Sequence, residues 1–196
     1  MAHQAKEDIS KLDVLINNAG VYKSSNSYNK DGLDIRFVVN YLAPFLLTND
    51  LINLLKKVAS PRIINLSSAA QSSINYEVLT GVKKSSASES YAQRKFALTM
   101  WSFYLAKKEP DINVIAVNPG SLLNTNMVKE AFGNYWSPAD KGANILYKLA
   151  LSEDYKGVTG KYFDNDKGTF AEAHLDAYDG NKINKLIATT TQMFAD

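Results

Sequence analysis

Short apolar runs recur along the chain and are separated by longer segments of mixed character. Residues 13–17, 62–67 and 113–117 are largely apolar with no polar alternation, and residues 160–163 form a last, shorter run. Runs of this length are typical of strands buried on both faces, as in a parallel sheet. Each is followed by polar or glycine-containing sequence, which predicts a loop after each strand.

The segments between these runs are compatible with helices. The predicted helices are residues 3–11, 32–58, 88–109, 138–151 and 179–194. Pro44 interrupts the second helix, Ser88 is predicted to begin the third, and Pro138 lies in the first turn of the fourth. Strands that alternate with helices predict an α/β fold in a single domain, residues 1–196, with a parallel sheet and helices on both faces.

Polar segments begin where three of the predicted strands end. They are residues 17–20, 67–70 and 118–120. In open parallel sheets, ligands bind beyond the carboxyl ends of the strands. We therefore expect these three segments to line one rim of the sheet and to form the functional site.

Composition narrows the functional classes. The 196 residues carry a net charge of +2, no cysteine and two histidines, His3 and His174. Without a large basic block we expect no nucleic-acid partner, and without cysteine or a histidine cluster we expect no disulfide and no metal site. No apolar run reaches the roughly 20 residues of a membrane helix, so we expect no membrane partner and a cytoplasmic location.

Tyr91 and Lys95 are the most informative pair of side chains. Their spacing of four residues places both on one face of the predicted helix 88–109. A nearby ammonium favours phenolate over phenol, so Lys95 should lower the pKa of Tyr91 and make it an acid–base group for an alcohol or carbonyl oxygen. The alternative is a surface contact, because a chain with eleven tyrosines will contain some such spacings by chance.

Pro44 gives Asn40, four residues earlier, an unusual backbone position. Proline has no N–H, so the helical hydrogen bond from position 44 to the Asn40 carbonyl cannot form. We expect a kink there and a free Asn40 carbonyl that can hold a water. The alternative is that Pro44 is merely a tolerated kink.

The motifs occur in an order that resembles the short-chain dehydrogenase/reductase family. They are Asn-Asn-Ala-Gly at 17–20, Asn40 in the next helix, Ser67-Ser68 after the next strand, Tyr91-x-x-x-Lys95, and Asn118-Pro119-Gly120. The 23-residue step from Ser68 to Tyr91 resembles the retinol-dehydrogenase-like branch. The resemblance implies a Rossmann-like doubly wound sheet. It also implies an oxidoreductase that interconverts an alcohol and a carbonyl by hydride transfer with NADP or NAD.

The resemblance further implies catalytic roles for four residues. Tyr91 would be the general acid–base, and Lys95 would lower its pKa and hold the ribose hydroxyls of the nicotinamide. Ser68 would hydrogen-bond the substrate oxygen, while Ser67 is expected to bond local backbone. A water on the Asn40 carbonyl would link Lys95 to solvent in a proton relay.

Other positions are implied to bind the cofactor. They are Asn17, Ala19 and Gly20 beside the adenosine ribose, Tyr91 and Lys95, Pro119 and Gly120 on the nicotinamide side, Leu122 through its backbone, and Thr125, which lies one place later after Pro-Gly than is usual. Asn18 is expected to tie neighbouring strands together. Four aromatic residues fall in segments that form the substrate lid in the family, where they would make either an apolar pocket or plain core: Tyr76, Phe132, Tyr135 and Trp136.

One part of the family pattern is missing from this sequence. It contains no Thr-Gly-x-x-x-Gly-x-Gly turn, the segment that cradles the pyrophosphate in the family. We therefore expect an N-terminally truncated sheet, with strands four to seven of the family pattern and without the residues that select NAD or NADP. Weak or absent cofactor binding is expected, because the phosphate cradle supplies the helix N-terminus and close backbone amides.

Two alternatives stand beside the active oxidoreductase. The extended branch of the same superfamily acts on nucleotide sugars and shares Tyr-x-x-x-Lys, but Asn-Asn-Ala-Gly argues against it. A catalytically silent fragment, or a regulatory or scaffold module on this fold, is favoured by the missing glycine turn and opposed by the intact catalytic positions. The partners implied by the resemblance are a small-molecule alcohol, aldehyde or ketone, for which an apolar compound is one option, and a second copy that pairs through the helices carrying Asn40 and Tyr91.

The first predicted strand, residues 13–17, would form an edge of such a sheet. Free edges recruit other strands, so we expect the chain by itself to be marginally stable, to aggregate, or to pair edge to edge with another copy. Size-exclusion chromatography combined with a thermal melt measures this. A clean monomer of high thermal stability would contradict the expectation.

Overall fold

A five-stranded sheet forms the centre of the structure, which is a computed structural model that describes residues 2–195. The strands are β1 (Val14–Asn17), β2 (Arg62–Leu66), β3 (Asn113–Asn118), β4 (Lys161–Asp164) and β5 (Thr169–Ala171), which lie in that order across the sheet. β1 to β4 are parallel, and β5 runs antiparallel to β4. The predicted α/β class and the four predicted strands are confirmed.

β5 is an addition to the predicted strands. A tight turn joins it to β4, in which the Lys167 N–H donates to the Asp164 carbonyl at 3.1 Å and Gly168 has a φ of +69°. A positive φ is easily adopted by glycine, so Asp and Gly around this turn are a hairpin signal. The sequence signal was therefore present at residues 164–168, ahead of a strand only three residues long.

Helices cover both faces of the sheet. They are Ala2–Asp8, Ile35–Leu55, Tyr76–Leu79, Ala87–Lys108, Asn126–Phe132, Ala139–Leu151 and Gly180–Gln192, with 3₁₀ turns at Glu153–Tyr155 and Leu175–Tyr178. The five predicted helices are present with ends shifted by a few residues. Ser86 rather than Ser88 begins the helix Ala87–Lys108, because the Ser86 hydroxyl accepts a hydrogen bond from the Glu89 N–H at 3.2 Å.

An apolar core lies on each face of the sheet. Ile63 packs under the helices Ile35–Leu55 and Ala87–Lys108, whereas Ile64 packs under the helix Ala139–Leu151. Successive strand residues point to opposite faces, so a strand without polar alternation must be covered on both sides. Every residue of β2 and β3 is buried, and the doubly wound arrangement predicted from the sequence is confirmed.

The irregularity expected near Pro44 is a π-helical turn. Val38–Leu42 form this turn inside the helix Ile35–Leu55, and the Ala43 N–H donates to the Val38 carbonyl. The wider turn precedes Pro44, which takes a position in the first turn of the regular helix that follows. Asn40 therefore lies in the distorted part of the helix, as the missing N–H of Pro44 predicted.

The helix Ile35–Leu55 also bears on the membrane prediction. It is 21 residues long and apolar enough to cross a membrane by length and composition alone, so the expectation that no apolar segment would reach that length is wrong. Half of its apolar window is buried inside the fold. A core helix meets the same criterion, and this helix packs against β1 and the helix Ala87–Lys108.

Two predictions about association concern surfaces of this fold. β1 pairs only with β2 among the described residues and lies at the sheet edge, where Ile16 is 39% exposed. The helix Ala87–Lys108 is covered by the helix Gly180–Gln192, and little of its middle is exposed. Edge pairing and a homodimer through this helix both stay predictions.

A chain of side-chain hydrogen bonds ties β1 to β2 and to two helices. Asn17 Nδ2 donates to Asn65 Oδ1 at 2.7 Å and to Thr48 Oγ1 at 3.1 Å. Asn65 Nδ2 in turn donates to Ser102 Oγ at 2.8 Å. All four side chains are buried and cannot hydrogen-bond to water. These bonds therefore supply the partners that the buried polar groups need.

We expect Asn17→Ala to lower the free energy of unfolding by about 1–3 kcal/mol, because it leaves Asn65 Oδ1 buried without a donor. Urea unfolding measures the change. The matched control is Asn18→Ala, whose side chain is exposed and should alter stability by less than about 0.5 kcal/mol. Equal losses in the two variants would contradict the structural role of Asn17.

Candidate active site

A cleft of about 980 Å³ opens at the carboxyl ends of β1, β2 and β3. The three polar segments predicted to form one rim contribute residues to its wall. The predicted site residues that line it are Ala19, Gly20, Ser68, Tyr91, Lys95, Pro119, Gly120, Leu122 and Thr125. Asn17 and Asn40 are the two predicted site residues that do not line it.

The two serines after β2 have different surroundings. Ser68 lies close enough to the phenol of Tyr91 for its hydroxyl to act in lowering the pKa of that phenol, and both residues line the cleft. Ser67 is buried, donates to the Lys95 carbonyl at 2.9 Å and lies 2.6 Å from Thr99 Oγ1. Ser68 is thus the serine that acts on Tyr91. Ser67 bonds the helix that carries Tyr91, at residues 28 and 32 positions away, so the expectation that it bonds local backbone is wrong.

Lys95 reaches the cleft from the buried side of its helix. Its Nζ donates to the Leu66 carbonyl, at the end of β2, over 2.5 Å. Burial, together with the positive charge of Arg94, lowers the pKa of Lys95 to about 7. An ammonium removed from water loses hydration energy, and this penalty favours the neutral amine.

The expected effect of Lys95 on Tyr91 is not what the structure shows. Burial raises the pKa of Tyr91 above its usual value, while the Ser68 hydrogen bond and the charge of Arg94 act in the lowering direction. The Arg94 Cζ lies 4.3 Å from the centre of the Tyr91 ring, compared with 6.0 Å for Lys95 Nζ. Lys95 is held at the Leu66 carbonyl, so the cation acting on the phenol is Arg94.

Asn40 acts on the loop after β1 rather than on the cleft itself. Its Oδ1 accepts from the Val21 N–H at 2.8 Å, and its Nδ2 donates to the Val21 carbonyl at 2.9 Å. A Cβ added at Gly20 would lie 3.3 Å from Asn40 Oδ1. The side chain of Asn40 therefore fixes the backbone next to Gly20 at close approach.

Asn17 has the strand-tying role that was predicted for Asn18. The side chain of Asn17 is buried and bonds Asn65 and Thr48, so it ties the strands together. Asn18 is exposed and lines the cleft. Successive residues at the end of a strand point to opposite sides, and the sequence alone did not indicate which of the two faces inward.

An acidic residue that was not predicted holds the loop after β3. Asp166, in the turn between β4 and β5, accepts hydrogen bonds from Ser121, Asn118 and Lys141. Burial opposes its ionisation, but these hydrogen bonds lower the pKa of Asp166 to about 2. The charged carboxylate thereby anchors the segment that carries Pro119 and Gly120.

Leu122 and Thr125 continue this wall of the cleft. Leu122 has a φ of 47°, a value that costs a non-glycine residue about 1 kcal/mol, and its carbonyl accepts from the Trp136 N–H at 2.9 Å. Thr125 Oγ1 accepts from the Val128 N–H at 3.3 Å and caps the helix Asn126–Phe132. Both positions are at the cleft, as predicted for cofactor contacts.

Aromatic side chains form part of the cleft wall. Phe132 and Trp136 line it, in agreement with the apolar-pocket alternative, whereas Tyr76 packs against the core and Tyr135 is half exposed. Tyr22 was missed: its ring centre lies 5.0 Å from that of Tyr91 and 5.1 Å from that of Phe132. An aromatic residue two places after Asn-Asn-Ala-Gly was the available signal.

The described residues contain no candidate metal site. Among residues 2–195, no group of three or more His, Asp or Glu side chains is arranged to hold a metal ion. The side chains that converge on the cleft are hydroxyl, phenol, ammonium and amide groups. Such groups can hydrogen-bond a ligand and exchange protons with it.

Comparison with known proteins places this arrangement in a family. The profile of the short chain dehydrogenase family matches residues 1–136. The chain belongs to the short-chain dehydrogenase family. Within it, retinol dehydrogenase 12 of Mus musculus is 34% identical over an alignment of 169 residues that covers 80% of this chain and 54% of that protein. The predicted likeness to the retinol-dehydrogenase branch is confirmed.

Other relatives share this pattern of coverage. The human polyprenol dehydrogenase is 32% identical over 179 residues, covering 81% of this chain and 54% of that protein. The chain spans about half the length of the curated relatives that it matches. One relative is a chloroplastic protein of Brassica napus, and the cytoplasmic location of this chain stays a prediction.

Solved structures support the same fold. A short chain dehydrogenase of Escherichia coli complexed with NADPH is 26% identical, with a TM-score of 0.63 over 84% of this chain and 67% of that one. A protein of Mycobacterium paratuberculosis has a TM-score of 0.73 at 23% identity, covering 98% of this chain and 70% of that one. The second likeness concerns the fold alone.

The buried ammonium of Lys95 predicts a pH-dependent stability. At about pH 6 the Lys95 side chain is charged in both the folded and the unfolded chain. The folded chain then bears the full free-energy cost of burying an ammonium. Because its folded-state pKa of about 7 lies below the ordinary 10.5, the folded chain loses the proton first, and its stability should rise between about pH 7 and 10. Lys95→Met should therefore be more stable than the parent at about pH 6, and this advantage should shrink by roughly 1 kcal/mol or more towards pH 10.

Denaturant unfolding at several pH values measures this difference. The matched control is Lys83→Met, which removes an exposed ammonium and should change stability equally across the range. An advantage of Lys95→Met that does not vary with pH would contradict the depressed pKa of Lys95.

Proposed function

We propose that this chain is an NAD(P)-dependent oxidoreductase that interconverts an alcohol and a carbonyl compound. The single observation that carries the proposal is the convergence of Tyr91, Ser68 and Lys95 on one cleft at the carboxyl ends of the strands. Three loops that are distant in sequence supply the remaining walls. The proposal is supported by membership of the short-chain dehydrogenase family.

The cleft residues fit the nicotinamide end of a dinucleotide. Gly20 and Gly120 lie where a Cβ would crowd its neighbours, at 3.3 Å from Asn40 Oδ1 and 3.1 Å from Leu123 Cδ2. Lys95 donates to one carbonyl, and an ammonium has three donors, so it can also hold ribose hydroxyls. Bound there, the dinucleotide would supply or accept the hydride. The described residues offer no glycine-rich phosphate cradle, so the fit concerns this end only.

Tyr91 would exchange the proton with the substrate oxygen. Its pKa is raised by burial, so at neutral pH the phenol keeps its proton and can donate it to a carbonyl oxygen in the reducing direction. The oxidising direction needs the phenolate, which the Ser68 hydroxyl and the Arg94 charge both favour. Ser68, on the same wall, would hold the substrate oxygen by a hydrogen bond.

Asn40 would contribute through the backbone of its π-helical turn. The distortion at Val38–Leu42 supports the prediction that the Asn40 carbonyl is available to a water. The oxygen and the nitrogen of its side chain each bond the backbone of Val21. The proposed relay from Lys95 to solvent would therefore use the carbonyl of Asn40 and not its amide.

The substrate class that the cleft favours is an apolar alcohol, aldehyde or ketone. Tyr22, Phe132 and Trp136 supply aromatic surface to the cleft that Tyr91 also lines, and Tyr22 packs on the Tyr91 ring. Burial of apolar ligand surface against such side chains contributes about 25 cal/mol per Å². The names of the retinol and polyprenol dehydrogenase relatives agree with an apolar substrate.

Turnover of NADPH and NADH, followed by absorbance with apolar aldehydes and ketones at high cofactor concentration, tests the proposal. We expect activity in the parent chain and a loss of at least about 100-fold in Tyr91→Phe, because the proton donor is removed. The matched control is Tyr147→Phe, an exposed tyrosine on the helix Ala139–Leu151 that should keep full activity. Equal activity in Tyr91→Phe and the parent would contradict the role of Tyr91.

A silent regulatory or scaffold module is the second candidate, because the sequence contains no glycine-rich turn. Saturation-transfer NMR with NADPH separates the two functions. Cofactor binding without turnover on any carbonyl compound would favour the silent module. Binding with turnover would exclude it.

A further inference from the structure

Arg94 is a fully buried arginine that lacks partners for part of its guanidinium. Its exposed fraction is 0%, and its Nη2 donates to the Val21 carbonyl at 3.0 Å. Its Nε and Nη1 are buried and have no hydrogen-bond partner within residues 2–195. A buried charge without full hydrogen bonding is costly, so its presence beside the cleft calls for a physical reason.

The guanidinium lies over the face of the Tyr91 ring. The Arg94 Cζ is 4.3 Å from the ring centre, within the distance at which a cation interacts favourably with an aromatic face. Positions 91 and 94 are three residues apart on one helix, so this contact is set by helical geometry. The ring of Tyr22 packs on Tyr91 as well, with centres 5.0 Å apart.

Arg94 forms no ion pair with a carboxylate in the described part of the chain, residues 2–195. Asp34, the acidic group that acts on it, receives Nε and Nη2 of Arg36 at 2.8 and 2.7 Å and the Ser90 hydroxyl at 2.7 Å. The positive charge of Arg94 is therefore balanced only in part. A phenolate at Tyr91 would place an anion next to this guanidinium.

Arg94 is also tied to the loop that lines the cleft. The Val21 carbonyl accepts from both Arg94 Nη2, at 3.0 Å, and Asn40 Nδ2, at 2.9 Å. Val21 lies between Gly20 and Tyr22, which both line the cleft. The side chain of Arg94 thus contacts both the Tyr91 ring and the loop that carries Val21.

We propose that Arg94 is a positioning residue of the active site: it holds the Tyr91 ring and the Val21 loop together and supplies the positive charge beside the phenol. This rests on the proposed function only in the role given to Tyr91. The charged or titratable groups that face Tyr91 are Arg94 and Lys95 from its own helix and Tyr22 from the loop after β1.

The electrostatics agree with this geometry. Burial and the charge of Arg36 act to lower the pKa of Arg94, whereas Tyr91 and Asp34 act to raise it. A phenolate at Tyr91 would strengthen this opposing effect, so the guanidinium keeps its charge while the phenol ionises. Its charge acts on Tyr91 in the direction that favours phenolate.

The test follows the ionisation of Tyr91 directly. Tyrosine labelled with ¹³C at Cζ is introduced into the full chain, and the Tyr91 signal is assigned by its loss in Tyr91→Phe. We expect Arg94→Met to shift the Tyr91 titration upward by roughly one pH unit or more, since a cation at this distance is removed. Arg94→Lys keeps a charge and should titrate closer to the parent.

A merely structural role predicts a different pattern. Because Arg94→Met removes a partly unsatisfied buried charge, we expect its thermal stability to be unchanged or higher. An unmoved Tyr91 titration in Arg94→Met, or equal shifts in the Met and Lys variants, overturns the proposal. Should Arg94→Met fail to fold, Arg94→Gln replaces it, and failure of both while Arg94→Lys folds also overturns it.

The outcome is independent of turnover. If the parent chain shows no oxidoreductase activity, the proposed function fails, while the titration still reports on Arg94 and Tyr91. If Tyr91→Phe abolishes activity but the titration does not depend on Arg94, the proposed function stands and this inference fails.

Discussion

The burial of the helix Ala87–Lys108 against β2 and β3 is the interaction on which the rest of the site depends. The helix carries Tyr91, Arg94 and Lys95, and its middle turns are enclosed by the sheet and the helix Gly180–Gln192. Close packing fixes the rotation of the helix about its axis, because each apolar side chain must fill its own space. That rotation directs Tyr91 to the cleft and Arg94 and Lys95 to its buried side.

Burial of the helix also sets the electrostatic character of the site. Two cations, Arg94 and Lys95, are held next to a phenol in a region with little water. Removal from water lowers the pKa of Lys95 and raises that of Tyr91. Side chains whose pKa values are shifted in this way are suited to exchanging protons with a ligand. The burial of the two cations lowers the folding stability of the chain.

The loops around the cleft are shaped by side chains that bond to backbone. Asn40 and Arg94 hold Val21 after β1, and Asp166 holds Ser121 after β3. Such bonds restrict a loop without requiring a large apolar core beneath it. The parallel register then brings these loops to the same edge of the sheet, where each can contact one ligand.

The sequence by itself determined the α/β architecture, the four parallel strands, the rim of polar loops and the meeting of Ser68 with Tyr91. Apolar runs, helix periodicity and the spacing of motifs are local signals, and they survive folding because they agree with one another. Only the tertiary structure decided that Asn17 faces inward and Asn18 outward, that Lys95 binds the Leu66 carbonyl, and that Arg94 lies over Tyr91. These outcomes depend on helix rotation and on partners distant in sequence, which short spacings do not encode.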